Sequence, residues 1–273
     1  CMAAGTTPDP RELERSLLQR RCWLGEALQA ELKAVIAWAE PQADQSWPAG
    51  VGARAMLALA WSWLSAAGDG AVRQQAARAV DGGSMSLARS GLAALQPWDC
   101  PERQQASTAF AKRWRQRPVI LDAWFGMEAS APFGDGITRA DALLEDPAFD
   151  PNAPNSLRAV LGGFGRCAEH FHRSDGRGYQ WMAQQLVAVD QRNPIAASRM
   201  LKLFMGWRRY SPERQQLMRS SLEWLAETLT SPTSTCASSD TRRGWSTISI
   251  LVRRIGVAIR LFRLFRFGRG RSR

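Results

Sequence analysis

The chain has 273 residues, 45 % of them hydrophobic, and a formal net charge of +11. That length and apolar content suffice for a buried core, and no run of about eighteen uninterrupted apolar residues occurs, so disordered, collagen-like and membrane-spanning classes fall away. The segment 240–273 carries ten arginines against one aspartate, a net +9, so residues 1–239 hold only +2 and lack the basic face that a folded nucleic-acid reader needs.

Apolar residues recur at helical spacing from residue 11 to residue 229. Leu13, Leu17, Leu24, Leu28, Leu32, Val35 and Ile36 form one stripe with Glu12, Arg15, Arg20 and Glu31 between them, which predicts a single long amphipathic helix. Residues 53–67, with Trp61 and Trp63, are almost wholly apolar and predict a helix packed on several sides. Shorter helices are expected at 71–80 and 84–95, parted by Asp81-Gly82-Gly83.

Pro101, Pro118, Pro154, Pro194 and Pro212 each precede a periodic segment. A missing N–H costs nothing in a first helical turn, so these prolines mark helix starts, with Asn193 and Ser211 placed to cap two of them. Gly162-Gly163 is expected to end the helix begun at Pro154. Gly176 and Gly178 flank a turn before the pattern 179–189. No period-two alternation occurs between hairpin signals. The expected fold is all-α, an irregular α-α superhelix of the HEAT or armadillo kind with about ten or more helices, since no fixed repeat period is present.

Five cysteines, Cys1, Cys22, Cys100, Cys167 and Cys236, are scattered without a C-x-x-C pair. That pattern fits free or buried thiols in a reducing compartment, and no basic segment followed by an apolar one opens the chain, so a cytoplasmic setting is expected. The start at Cys1 rather than methionine leads us to expect a piece of something longer.

Cys167-Ala168-Glu169-His170-Phe171-His172 has a C-x-x-H-x-H spacing that fits no established zinc pattern, and His170 and His172 cannot share a helix face. Packing roles are expected there. Trp61, Trp63, Trp114, Trp124, Trp181, Trp207 and Trp224 lie within helical patterns and are expected in the core. Gly162-Gly163-Phe164-Gly165 follows no strand and is not a phosphate loop.

A set of motifs then occurs in order. It comprises Lys112-Arg113-Trp114, Leu121-Asp122-Ala123-Trp124-Phe125, Asp146-Pro147-Ala148-Phe149, Pro154-Asn155-Ser156-Leu157-Arg158, Phe171-His172 and Asp175-Gly176-Arg177-Gly178-Tyr179. Residues 192–199, Arg208-Arg209-Tyr210 and Arg214-Gln215 complete it, with weaker similarity back to Asp9-Pro10. Over residues 9–229 the chain thus resembles the C-terminal helical domain of the bacterial aminopeptidase N family, zinc exopeptidases that remove N-terminal residues from peptides.

The resemblance implies a non-catalytic cap that closes over the catalytic domain, inactive as an isolated chain, with the catalytic and N-terminal domains as partners and peptides passing through the enclosed chamber. It implies zinc in the parent enzyme and no cofactor in this chain, because the family's H-E-x-x-H is absent. It also implies that Arg158 and Arg199 line the substrate chamber. Gly126-Met127-Glu128 echoes the family's G-A-M-E-N loop only partially and reads as helix.

Residues 1–231 are expected to form this domain. Residues 232–273 are expected to be a basic amphipathic tail, in which Arg253, Arg254, Arg260, Arg263 and Arg266 interleave with Ile250, Leu251, Ile255, Ile259, Leu261 and Phe262. The tail could serve an anionic membrane surface or be a non-native read-through product. The alternative function is a stand-alone HEAT-like interaction scaffold carrying that tail.

Overall fold

A computed structural model describes residues 7, 9–82 and 84–230; the basic tail expected at 232–273 lies outside them. Thirteen α-helices and no strand occur among the described residues, as the periodicity predicts. The expected all-α superhelix is borne out.

The expected single long helix is two, α1 (Pro10–Ala27) and α2 (Gln29–Ala43), joined at Leu28 with φ −111° and ψ 26°. Both pack on α3 (Val51–Ala66). A straight rod over both would run about 50 Å, whereas α3 is about 24 Å long, so the break keeps both apolar stripes over the same partner. Gly25, in the last turn of α1, lies so close to α3 that a Cβ would sit 2.2 Å from the Trp63 carbonyl oxygen.

The chain continues through α4 (Gly70–Asp81), α5 (Met85–Leu95), α6 (Pro101–Trp114), α7 (Pro118–Ala129), α8 (Gly136–Leu144) and α9 (Pro154–Arg166). It ends in α10 (Ala168–Phe171), α11 (Arg177–Asp190), α12 (Pro194–Met200) and α13 (Pro212–Thr230). All five predicted prolines open helices, and Pro10 opens a sixth. Asn193 caps α12 by accepting from Ala196 N at 2.9 Å.

Gly162 and Gly163 do not end α9, which runs on to Arg166. Gly163 serves instead where α9 crosses α7: a Cβ there would stand 2.8 Å from the Gly126 carbonyl oxygen. The helix tolerates a glycine at 163 because that close approach requires it.

Two hydrophobic cores result. One runs from Leu32 to Phe110 and the other from Leu121 to Leu225, with Trp124 packed against both. Trp61, Trp181 and Trp207 are buried, and Trp63 and Trp114 pack at the edge of the first core. Trp224 corrects the expectation for tryptophans, being 42 % exposed. On α13 the buried stripe is Met218, Leu222 and Leu225, and Trp224 lies about 100° around the helix from Leu225, off that stripe.

The seam between the cores is polar and buried. Glu128, at the end of α7, accepts from Arg103 Nη2 at 2.7 Å and from Ser107 Oγ at 2.5 Å, both on α6. Ser107 Oγ in turn accepts from Trp124 Nε1 at 2.8 Å. Arg103 and Glu128 are nearly fully buried. The partial echo of a substrate loop at Gly126-Met127-Glu128 is therefore a structural ion pair.

Removing one partner of such a pair leaves an uncompensated charge in low dielectric. Glu128→Ala is expected to lose about 3–5 kcal/mol of unfolding free energy, measured by urea denaturation. Arg103→Met with Glu128→Leu is expected to recover most of that loss; a cost below about 1 kcal/mol for the single change would remove the seam's structural role.

Candidate functional site

Arg158 and Arg199 come together. Pro154 opens α9 and sets Arg158 in its second turn, while the Asn193 cap and Pro194 start α12, whose last turn carries Arg199. Because α12 packs on α9, the two arginines line one cleft of about 270 Å³ with Ile195 and Met200. Arg158 Nη2 donates to Asn155 Oδ1 at 3.1 Å, and neither arginine pairs with a carboxylate among the described residues.

Arg166, not singled out from the sequence, lies close by on the same helix. Its Nη1 stands 3.4 Å from where a Cβ on Gly162 would be, and Arg158 Cγ stands 3.5 Å from the same point. Burial, and secondarily the Arg158 charge, hold the Arg166 guanidinium below its ordinary range. The signal that could have found it is helical spacing: positions 158, 162 and 166 share one face. Such a surface can attract and orient an anion.

The histidines are committed elsewhere. His170 Nε2 donates to the Ala131 carbonyl oxygen at 2.9 Å and lies 3.3 Å from Arg139 Nη2. Arg214 Nη1 donates to the His172 carbonyl oxygen and to Tyr179 Oη, so the Tyr179 hydroxyl is left to donate to His172 Nδ1 at 2.6 Å. Gly178 permits this knot, since a Cβ there would lie 2.2 Å from the His170 carbonyl oxygen. Burial pushes the Cys167 thiol up to about 11, which keeps it protonated.

The C-x-x-H-x-H residues thus do not fit zinc: two nitrogens are spent on protein partners and the sulfur is a buried thiol. Among the described residues no group of three or more His, Cys, Asp or Glu could hold a metal ion. Cys22, Cys100 and Cys167 are free thiols. No described helix is long and apolar enough to cross a membrane.

The buried His172 gives the fold a pH dependence. Burial, with Arg214 as the second cause, pushes its pKa down to about 4, from 6.5 in an open chain. The unfolded chain therefore binds the extra proton first, so the stability is present above pH 6.5 and is lost as pH falls toward 4; His170 is shifted in the same direction. Unfolding free energy is expected to fall by about 2 kcal/mol between pH 7 and pH 5 from His172 alone. In His172→Asn, urea titrations over the same window are expected to show most of that slope gone.

Residues 2–235 match the family described as "Domain of unknown function (DUF3458_C) ARM repeats". Aminopeptidase N of Caulobacter vibrioides is 39 % identical over 122 residues, which is 44 % of this chain and 14 % of that protein. Aminopeptidase N of Escherichia coli is 31 % identical over 143 residues, 52 % of this chain and 16 % of that protein. A crystal structure of Legionella pneumophila aminopeptidase A in complex with aspartic acid aligns with a TM-score of 0.76 at 22 % identity, covering 92 % of this chain and 29 % of that one. That likeness concerns the fold. The chain spans about one-sixth or less of the length of these curated relatives, and its resemblance to the C-terminal helical domain of aminopeptidase N is borne out.

Proposed function

The chain belongs to the DUF3458_C family of ARM-repeat domains, and from that membership we propose that it is the non-catalytic C-terminal cap of an aminopeptidase N, inactive alone. In this reading residues 1–231 close over the catalytic portion of the same enzyme and enclose the chamber in which a zinc exopeptidase removes N-terminal residues from peptides. The setting is cytoplasmic. Zinc belongs to the catalytic portion.

The observation that carries the reading is the match to about one-sixth or less of two aminopeptidase N chains by a superhelix whose own histidines are spent on packing. An uncovered interface is consistent with it: Trp23, Trp38 and Trp47, on and beside the first two helices, are 65 %, 54 % and 80 % exposed. Large apolar side chains left exposed are what docking of a partner domain would cover.

A cap contributes by shape and charge. Closure orders the peptide and limits bulk water around the reacting bond. Arg158 and Arg199, free of carboxylate partners, would face the chamber and hold a substrate carboxylate or carbonyl by charge-assisted hydrogen bonds. They orient substrate and take no part in bond cleavage.

Mixing the purified chain with a catalytic portion lacking this domain is expected to restore discrimination between short peptide anilides and folded proteins. Absence of association at micromolar concentration would overturn the cap. In the complete enzyme, Arg199→Ala is expected to lower kcat/KM about tenfold or more for peptides that present a carboxylate, the equivalent of about 1.5 kcal/mol. Unchanged kcat/KM across acidic, neutral and basic peptides would remove the chamber role of that residue.

A further inference from the structure

The positive charge of the Arg158 and Arg199 cleft does not end at those two residues. We propose that Arg166 extends it into a row of three guanidiniums that holds an acidic stretch of a peptide, on the C-terminal side of the bond to be cleaved, so that Arg166 is a specificity-determining residue. The proposal rests on the cap reading, which puts this cleft in the chamber, and names the substrate class: peptides with two or more carboxylates beyond the cleaved bond.

Gly162 is where the row joins. The point at which its Cβ would stand lies 3.4 Å from Arg166 Nη1, 3.5 Å from Arg158 Cγ and 4.0 Å from Met200 Sδ. Arg158 and Met200 both line the cleft, so the Arg166 guanidinium stands at its edge along α9. Long side chains on a helix lean toward its N-terminus, and glycine at 162 leaves α9 bare where Arg166 folds back over it. All three arginines are exposed, so a ligand reaches each from solvent.

No carboxylate neutralises the row. Arg158 donates to the neutral Asn155, and neither Arg166 nor Arg199 has a hydrogen bond or ion pair with a described residue. No Asp or Glu lines the cleft. Arg166 also borders the space beside α1 that holds Glu14 and Glu169, but those are engaged by Ala168 N and by Arg11 and Arg15, and it pairs with neither. Other partly buried arginines are matched: Arg103 by Glu128, Arg214 by Asp9, and Arg139 by the carbonyl oxygens of Glu128, Ala131 and Phe133. Burial and the Arg158 charge both disfavour the charged form of Arg166, and an anion beside it offsets both.

The spacing selects the ligand. Positions 158 and 166 are two turns apart, about 12 Å along the helix. That is too far for one carboxylate to bridge and about the reach of three to four extended residues. Carboxylates set that far apart on one peptide match the row, while Leu157, Ile195 and Met200 offer apolar surface to the stems of its side chains.

Initial release of the first alanine from Ala-Ala-Glu-Gly-Glu, Ala-Ala-Gln-Gly-Gln and Ala-Ala-Lys-Gly-Lys by the complete enzyme tests this, since the three share one scissile bond. Arg166→Gln is expected to raise KM for the acidic peptide about fivefold or more, with kcat and the other two peptides within about twofold of the parent. Arg166→Lys, which keeps the charge, is expected to retain most of the acidic preference. In calorimetric titrations the isolated chain is expected to bind acetyl-Glu-Gly-Glu more tightly than acetyl-Gln-Gly-Gln, a difference that Arg166→Gln removes. Folding of each variant is checked by far-ultraviolet circular dichroism and a thermal melt. A folded Arg166→Gln enzyme that treats the three peptides as the parent does, equal losses for the acidic and neutral peptides, or equal binding of the two acetylated peptides would overturn the proposal and leave the cap standing. Failure of the cap reading shows separately, as no association of the chain with the catalytic portion, and the proposal falls with it.

Discussion

Arg214 holds the two ends of the superhelix together. From α13 its Nη2 reaches Asp9 Oδ2 at 2.6 Å across 205 residues of sequence, while Nη1 donates to the His172 carbonyl oxygen and to Tyr179 Oη. Asp9 is also the N-cap of α1, accepting from Arg11 N at 2.8 Å. One guanidinium, 8 % exposed, thus neutralises a cap, satisfies a backbone carbonyl and polarises a hydroxyl. Its fork of donors in fixed geometry suits three acceptors at once.

That clamp determines what α1 can do. With Asp9 held at α13, the first turns of α1 lie against α10, where Glu14, Arg11 and Arg15 engage Ala168 and Glu169. The two cores, joined otherwise by the buried seam at Glu128, are bridged a second time. A solenoid whose repeats touch only their neighbours bends easily. Here the two ends are tied, Asp9 at the start of the first helix to Arg214 on the last.

Much of this was legible. The motifs that carry the family resemblance prove to be residues that bond one another: Ser156 donates to Asp122 at 2.8 Å, and Arg214, Tyr179, His172 and Asp9 share one network. The proline starts and the Asn193 cap were readable because they are local. The break at Leu28, the glycine crossing at Gly163 and the outward face of Trp224 were not, since each depends on which neighbour a helix meets. Arg166 was not legible for the same reason: an arginine is distinguished by the partner it lacks, and one sequence does not display missing partners.

By itself the sequence determined the helical class, most helix starts, the absence of an H-E-x-x-H helix and the family. These follow from periodicity, from proline and cap chemistry, and from residue identity, all of which act within a few positions. Only the tertiary structure decided which charges were spent and which were left open. Asp9 and Arg214, or Gln96 and Met127, meet only after the helices stack, and whether a polar atom is satisfied is a property of the space around it.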